Sequence, residues 1–238
     1  MDSRLNFYKS NLKKYLTNKD CNILVVGGNH TDYDVFKELG FTKVTISNID
    51  DNVDPEKLSP YTWSYQDMEQ LSYENETYDY VIAHACLHHC FSPHRALLEM
   101  YRVAKKGILM FESRDSLSMI IAEFLNLTQK YEHAAVFFNK HKYGGVANSD
   151  IPNYIYRWTE REIEKVISSY SPYAQNEFIY EYGYGVPVST ENWKQNFFKR
   201  SLKFLIIKLH LFFVKLFPKQ SNLFSRFIKK PNLKEEHF

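Results

Sequence analysis

One stretch, Asn22–Asp50, limits the folds open to this 238-residue chain more than any other. It has the pattern of a strand, a glycine turn, a helix and a second strand. Ile23–Val26 is an unbroken apolar run, which is typical of a strand buried on both faces of a parallel sheet. Gly27 and Gly28 allow a sharp turn and a close approach of the backbone to a ligand, because neither carries a Cβ. The pattern predicts either a nucleotide-binding βαβ unit or a plain one with a glycine turn.

The rest of this stretch continues the same unit. We predict that Thr31 or Asp32 caps the helix, that Gly40 ends it, and that Val44–Ile49 forms the second strand. Asp50 follows directly, at the tip of that strand. A carboxylate in this position is placed to accept hydrogen bonds from a ribose diol, as in doubly wound nucleotide-binding folds.

Further strands and helices alternate after the first unit. We predict strands at Thr62–Tyr65, Tyr78–His84 and Ile108–Glu112, with a helix that begins at Pro93 between the last two. Lys105–Gly107 resembles the cationic end and glycine cap of that helix. Alternation of this kind predicts an α/β fold with a doubly wound, mostly parallel sheet.

Ligands of doubly wound sheets bind beyond the carboxyl ends of the parallel strands. Five residues fall at those ends by pattern alone. They are Gly27, Asp50, Asp67, His84 and Glu112. We therefore predict that these residues line one rim and converge on one site.

Charge divides the chain into two parts. Residues 1–193 hold 19 Lys and Arg against 26 Asp and Glu, whereas residues 194–238 hold 11 against 2. The net charge is therefore −7 for the first part and +9 for the second. A basic segment behind an acidic body indicates an anionic partner, either a membrane surface or a nucleic acid.

Three features predict a cytoplasmic location. Residues 1–20 lack the apolar core of a signal peptide and are predicted to form a helix on the sheet edge. No charge-free apolar run is long enough to span a bilayer. The three cysteines, Cys21, Cys86 and Cys90, do not make a disulfide framework, which favours a reducing compartment.

A family resemblance is most evident in Leu71–Glu112 and covers roughly residues 20 to 115. It is carried by the sequence LSYENETYDYVIAHACLHHCFSPHRALLEMYRVAKKGILMFE, which resembles the core of class I S-adenosylmethionine-dependent methyltransferases of the type 11 group. Residues 128–191 resemble, more weakly, a bacterial subgroup associated with surface polysaccharide genes. The resemblance implies a Rossmann-like, seven-stranded sheet, whose closing antiparallel pair we assign to Glu177–Tyr182 and Leu223–Lys229.

The resemblance also implies a site for S-adenosylmethionine. It implies that the glycine turn lies beside the amino-acid portion of the cofactor and that Asp50 binds the ribose hydroxyls. It also implies that Asp67 and Met68 contact the adenine. The cofactor-binding residues that we predict are Gly27, Gly28, Asn29, Asp50, Asp51, Asp67, Met68 and His84. The chain departs from the family at Val25, where an acid is usual, and at Asn29, where a glycine is usual. Asn29 tolerates left-handed backbone angles, so the turn is expected to persist.

Residues 86–90 hold a cluster of cysteine and histidine. Structural zinc usually needs a second ligand pair on a separate segment, and the sequence offers no second Cys/His pair of suitable spacing. We therefore predict no metal and expect Cys86 and Cys90 to be buried as small apolar residues. His88 and His89 are candidate general bases for a substrate hydroxyl, since the pKa of histidine suits that role. An alternative is that this loop only shapes the cofactor pocket.

Residues 128–158 follow the fifth strand and are rich in aromatic, amide and charged side chains. We predict that they form a lid over the rim, suited to a sugar acceptor; the alternative is a surface subdomain with its own small core. Glu132, His133 and His141 are further candidate bases in this segment. Thr159–Glu162 has the sequence of a capping box that begins the next helix.

Residues 196–217 alternate lysines with Phe and Leu at helical spacing. This pattern predicts an amphipathic helix in a membrane interface, with its lysines toward anionic headgroups. A spanning helix is excluded because three lysines would lie at depth. The alternative is a helix docked on its own domain or on a second subunit, as in a homodimer.

The sequence thus predicts an S-adenosylmethionine-dependent methyltransferase that O-methylates a sugar or glycan intermediate at the cytoplasmic membrane face. Two other functions stay open: a non-catalytic binding or scaffold protein, and a nucleic-acid methyltransferase. The basic residues alternate with apolar ones, which argues against nucleic acid.

We predict five parts: an N-terminal helix at 1–20, the cofactor-binding core at 21–127, the lid at 128–158, the end of the core at 159–191, and the basic helix with a final strand at 192–238.

Overall fold

The computed structural model describes residues 3–124, 128–183, 208–209, 212–221 and 223–231. Its strands are β1 Asn22–Val26, β2 Lys43–Asn48, β3 Thr62–Tyr65, β4 Tyr78–His84, β5 Ala104–Ser113, β6 Tyr131–Glu132, β7 Asn153–Tyr154, β8 Glu177–Gly183 and β9 Leu223–Lys229. Its α-helices are α1 Ser3–Tyr15, α2 His30–Glu38, α3 Pro93–Val103, α4 Leu117–Phe124, α5 His133–Phe138 and α6 Glu160–Tyr170.

Seven of these strands form the central sheet, in the order β3-β2-β1-β4-β5-β9-β8. Strands β1 to β5 are parallel, and β9 pairs antiparallel with both β5 and β8. The structure therefore confirms the predicted doubly wound, mostly parallel sheet. The closing antiparallel pair is formed by the two segments that the sequence predicted for it.

The sheet is buried on both faces, as the apolar run in β1 requires. Side chains of successive strand residues point to opposite faces. Accordingly, Ile23 and Val25 pack with α1 and α2, whereas Leu24 and Val26 pack with α3 and α6. All four are fully buried. Burial of each such side chain contributes about 1.5–3 kcal/mol to folding, so β1 stabilises both layers at once.

The helix after the glycine turn begins two or three residues earlier than predicted. Asn29 is the N-cap: its side chain accepts from Thr31 N at 2.7 Å, and the Asp32 carboxylate accepts from Asn29 N at 3.0 Å. The predicted cap at Thr31 or Asp32 is therefore wrong. The turn persists as expected, although Asn29 itself is extended, with φ −148°. The left-handed angle falls on Gly27, with φ +60°, and Gly40 ends the helix with φ +75°.

The predicted end of α3 is also wrong. The helix stops at Val103, and Lys105–Gly107 already belongs to β5. Gly107 serves strand packing and not a helix cap, because a Cβ there would lie 2.5 Å from the carbonyl oxygen of Ile228 on β9. The second strand is shifted by one residue from its predicted bounds.

Helix α1 packs on a face of the sheet and not on its edge. Tyr8 and Leu12 are fully buried, and the Tyr8 ring stacks on the His84 ring at 4.0 Å between centroids. The same ring meets Phe111 edge-on at 4.7 Å. Because β4 and β5 are interior strands, α1 covers the middle of the sheet near the carboxyl ends of its parallel strands.

The chain leaves the sheet after β5 and returns to it at Trp158, which bridges to Arg114 and is fully buried. Between these points lie α4, α5 and the short antiparallel pair β6–β7. Thr159 begins α6 with the predicted capping box. We call residues 128–158 the lid segment.

The predicted basic helix at 196–217 lies mostly outside the described residues, of which it includes 208–209 and 212–217. Among the helices that the structure does describe, none is both long and apolar enough to cross a membrane.

Candidate active site

The glycine turn lies against residues from two other strand ends. A Cβ placed on Gly27 would lie 2.6 Å from Cys86 Cβ and 2.8 Å from Met68 Cε. A Cβ on Gly28 would lie 2.8 Å from Ile46 Cγ2. The turn can therefore be made only by residues without side chains, and it brings Gly27, Met68 and the start of the loop after β4 to one point.

The acidic residues beyond β2 and β3 bond within their own loops. Asp50 Oδ1 accepts from Asn52 N at 3.0 Å and from Asn52 Nδ2 at 2.7 Å. Asp67 Oδ1 accepts from Glu69 N at 2.9 Å. Asp51 is exposed. The structure thus places these carboxylates at adjacent strand ends, where they are held by short loops.

Asp32 is a buried carboxylate under the glycine turn that sequence reasoning treated only as a helix cap. Its Oδ1 accepts from Tyr8 Oη at 3.0 Å, and His84 Nδ1 lies 3.6 Å from the same oxygen. Asp32 thereby links α1, α2 and the tip of β4. His84 Nε2 is buried and has no hydrogen-bond partner among the described residues. No local sequence signal would have revealed these contacts, because Tyr8 and His84 are distant along the chain.

His88 lies between two carboxylates. Its Nδ1 is 3.0 Å from Glu112 Oε2, and its Nε2 is 3.1 Å from Glu132 Oε2. Burial lowers the pKa of His88, but the two carboxylates outweigh it and raise the pKa to about 9. In this arrangement His88 is an imidazolium at neutral pH that donates from both nitrogens, which argues against it as a general base.

Glu112 orients the loop that carries His88. It is buried, and its Oε1 accepts from Cys86 N and from Leu87 N, both at 2.8 Å. Burial opposes ionisation, yet His88 and these backbone donors keep the pKa of Glu112 below its ordinary value. Glu112 is therefore an ionised carboxylate inside the protein, with all its bonds directed at the residues after β4.

Glu132 connects the lid segment to the rim. Its Oε2 also lies 3.4 Å from His89 Nε2, and hydrogen bonds from His88 and His89 hold the pKa of Glu132 well below its usual range. His89 Nδ1 is 3.4 Å from the carbonyl oxygen of Gly145, also in the lid segment. Residues 128–158 thus contact the rim through a carboxylate and two imidazoles, and their role as a lid stays a prediction.

The other lid histidines lie apart from this cluster. His133 and His141 are exposed, with their rings against Tyr131 and Phe137 at 6.4 and 5.8 Å between centroids. Of the three predicted catalytic histidines, His88 and His89 lie at the rim, and His133 lies on the surface of the lid segment.

The cysteines are not ligands in this arrangement. Cys86 is buried, its thiol donates to the carbonyl oxygen of Val26 at 3.2 Å, and burial raises its pKa well above the ordinary value. Burial raises the pKa of Cys90 as well. A different set of donors does converge: His88, His89 and Glu132 each offer an atom, and these atoms lie within 4.8 Å of one another.

A cavity of about 430 Å³ lies at the end of the sheet opposite to the rim. Its walls include Asn75, Glu76, Tyr101, Arg102 and Lys230. Glu76 precedes β4 and Lys230 follows β9, so this cavity lies at the amino ends of the parallel strands and is not part of the rim.

Residues 34–111 match the Methyltransf_11 family, which is described as a methyltransferase domain. A comparison with curated proteins gives no match.

Solved structures share the fold. The PH0226 protein from Pyrococcus horikoshii OT3 has a TM-score of 0.56 at 15% identity, over 97% of this chain and 90% of that one. Magnesium protoporphyrin IX methyltransferase from Synechocystis PCC 6803, with bound SAH, has a TM-score of 0.55 at 12% identity, over 95% and 82%. A SAM-dependent methyltransferase from Archaeoglobus fulgidus has a TM-score of 0.53 at 14% identity, over 95% and 94%.

The family match and the fold together confirm the predictions of a methyl-transferring enzyme and of S-adenosylmethionine as its cofactor. They do not support the predicted polysaccharide-associated subgroup.

Proposed function

We propose that this enzyme transfers the methyl group to a hydroxyl of a sugar or glycan acceptor bound between the rim and the lid segment. One observation carries the proposal. The lid segment reaches the rim through Glu132, which bonds His88 and His89 on the loop that begins at Cys86, beside Gly27. Polar groups of the lid segment therefore lie next to the turn that serves the cofactor.

The rim residues fit S-adenosylmethionine. Gly27 presents bare backbone at the turn, because φ is +60° and any Cβ would meet Cys86 and Met68. Asp50 holds a half-buried carboxylate at the tip of β2, which suits the two ribose hydroxyls. Met68 and Asp67 would contact the adenine. S-adenosylmethionine, when bound, supplies an electrophilic methyl group on a sulfonium.

The lid segment offers a surface suited to sugars. It exposes large aromatic and apolar side chains around the polar cluster: Tyr131, Phe137, Phe138, Ile151 and Tyr154. Aromatic faces pack against the CH faces of a sugar ring, while His89 and Glu132 can bond its hydroxyls. His89 is the base candidate that remains at the rim. Methyl transfer depends mainly on alignment, so these contacts would act chiefly by orienting one hydroxyl.

The described part of residues 196–217 supports a proposed membrane contact. Leu209, Phe212, Phe213, Leu216 and Phe217 are exposed, beside Lys208 and Lys215. Exposed Phe and Leu with flanking lysines suit an anionic lipid surface. This contact would place the enzyme on the inner face of the cell membrane.

Vesicles with anionic lipid should sediment the protein, and a Phe212→Ser/Phe217→Ser variant should stay in solution. A homodimer buried by the same surface would instead appear by light scattering as a dimer that the variant converts to a monomer.

Calorimetric titration with S-adenosylmethionine and S-adenosylhomocysteine tests the cofactor site. We expect micromolar binding by the wild type and at least a tenfold weakening by Asp50→Ala, because the ribose loses its acceptor. Asp34→Ala is the matched control, since Asp34 is an exposed carboxylate on α2. Folded protein that binds neither ligand would contradict catalysis and favour a non-catalytic binding protein.

An acceptor screen tests the second half of the proposal. Transfer of labelled methyl from the cofactor to nucleotide-linked or lipid-linked sugars is expected, with none to oligonucleotides. Transfer to oligonucleotides alone would contradict the glycan acceptor and favour a nucleic-acid methyltransferase.

A further inference from the structure

The cluster that joins the lid segment to the rim has the composition of a metal site. His88 Nε2 and His89 Nε2 both point at the same carboxylate oxygen, Glu132 Oε2, at 3.1 and 3.4 Å. The ligand atoms of the three residues lie within 4.8 Å of one another. Two imidazoles and one carboxylate on one centre are a ligand set typical of catalytic zinc and of other divalent transition metals.

The spacing of these atoms suits one ion. Zinc binds imidazole nitrogen and carboxylate oxygen at about 2.0–2.2 Å, so tetrahedral ligands are about 3.2–3.6 Å apart. The two nitrogen-to-oxygen distances in the cluster, 3.1 and 3.4 Å, are close to that range. Only small shifts of these side chains would be needed to place an ion between them.

The second ring nitrogen of each imidazole faces an oxygen acceptor, as is usual for histidine ligands of metals. His88 Nδ1 bonds the buried Glu112 carboxylate at 3.0 Å, and His89 Nδ1 faces the Gly145 carbonyl oxygen at 3.4 Å. An ion would displace the Nε2 proton that His88 donates to Glu132. An acceptor at Nδ1 then keeps the remaining ring proton there, which leaves Nε2 as the ligand atom and increases its basicity.

The cluster is also within reach of solvent. The side chain of His88 is 11% exposed, that of His89 28% and that of Glu132 34%. An ion can therefore enter, and the three ligands leave at least one coordination position for an oxygen. The sequence-based prediction of no metal considered only cysteine and histidine pairs, and so it omitted a carboxylate from another segment.

We propose that His88, His89 and Glu132 form a binding site for a divalent transition-metal ion, with Glu112 positioning His88. If the proposed function holds, the ion would supply Lewis-acid chemistry at its open position and would lower the pKa of the acceptor hydroxyl, and His89 would act as a ligand and not as a base. The hydroxyl would lose its proton to water, its oxygen would bond the methyl carbon, and the carbon–sulfur bond of the cofactor would break. An ether and S-adenosylhomocysteine result, so all atoms are accounted for.

Titration of the chelator-treated full chain with Co²⁺ alone tests the site without any assay of activity. We expect one equivalent to bind with visible ligand-field bands, to be displaced by Zn²⁺, and to show no intense thiolate-to-metal band. Glu112→Gln should weaken binding by about 10–100-fold, as loss of an orienting acceptor does. His89→Gln and Glu132→Gln remove ligands and should weaken binding more than Glu112→Gln does.

His133→Gln is the matched control, because His133 follows Glu132 directly but is exposed outside the cluster. It should leave Co²⁺ affinity unchanged. Wild-type protein without ligand-field bands, a strong thiolate band, or equal affinity in wild type and Glu132→Gln would each overturn the proposal. Near-ultraviolet circular dichroism shows that each variant is folded.

Titration of the metal-free protein with S-adenosylhomocysteine separates this inference from the proposed function. Failure of the cofactor to bind would contradict the function alone, and failure of Co²⁺ to bind would contradict the metal site alone.

Discussion

The two sides of the rim differ in how their polar side chains are held. On the side of β2 and β3, Asp50 and Asp67 bond residues two positions further along the chain. On the side of β4 and β5, Glu112 and Glu132 bond His88 from segments 24 and 44 residues away. The first side is therefore formed by local loops, whereas the second exists only when three segments are packed together.

This difference separates stability from binding. A carboxylate held by its own loop is near water and can be removed with little effect on folding. A buried carboxylate that pairs with distant groups cannot, since its partners are then left unpaired inside the protein. We expect substitutions on the cofactor side to affect ligand binding, and those on the lid side to affect the free energy of unfolding as well.

The largest loss of stability is expected from Glu112→Ala. This change leaves the imidazolium of His88 and the backbone donors of Cys86 and Leu87 without their buried acceptor. Removal of one member of a buried pair costs about 3–5 kcal/mol. Urea unfolding measures the change, with Asp67→Ala on the other side as the control, because Asp67 is exposed and bonds within its own loop. Equal effects of the two substitutions would contradict the comparison.

A smaller loss is expected from Gly27→Ala, which tests the backbone of the cofactor side. Alanine at a left-handed angle costs about 1–2 kcal/mol. At Gly27 a contact penalty of about 1–3 kcal/mol is added, because the Cβ would meet Cys86 and Met68. Gly40→Ala is the matched control, since φ there is +75° and no atom lies within 4 Å of the added Cβ. Thermal unfolding that gives the two variants the same Tm would show that the turn is not packed as described.

A third prediction concerns the loop that follows β3, which is anchored by the ion pair of Glu99 and Arg102. Glu99 accepts from Leu71 N at 2.9 Å and from Arg102 Nη2 at 2.8 Å. The hydrogen bond from Arg102 holds the pKa of Glu99 below its ordinary value. A depressed pKa contributes stability that is present above the unfolded pKa of about 4.3 and is lost as the pH falls through the folded pKa.

Glu99→Gln should therefore lower the free energy of unfolding by about 1–2 kcal/mol at neutral pH, and the difference between the two proteins should shrink as the pH falls below about 4. Urea unfolding from pH 3 to pH 8 measures this. Parallel curves across the whole range would show that the carboxylate charge has no part in holding the loop.

The five parallel strands were predictable because each includes a local run of apolar, β-branched or aromatic residues. Thr62–Tyr65 and Tyr78–His84 have the predicted bounds, residue for residue. The end of α3 was not, because Lys105–Gly107 resembles a helix end when only neighbours are considered. Its real environment includes Ile228, whose carbonyl oxygen needs a glycine opposite it. A contact between residues so far apart along the chain leaves no signal in the sequence next to Gly107.

The site divides in the same way. Gly27 and Met68 were predicted from motif positions, and the structure brings them into contact. Asp32 was assigned only a capping role, and Glu132 only a role as a candidate base, since the partners that give them their places at the rim are distant in the chain. Sequence patterns therefore found residues on the side of β2 and β3, which local loops form. They missed the contacts among distant segments on the side of β4 and β5.

Strand order has a consequence for synthesis of the chain. Strand β9 is the latest of the described strands to leave the ribosome, yet it lies between β5 and β8. Until residues 223–229 emerge, the edge of β5 presents unpaired backbone groups, and β8 has no neighbour in the sheet. Exposed edges of this kind pair readily with other chains. A nascent chain paused before Leu223 is therefore the form of this protein most in need of a chaperone.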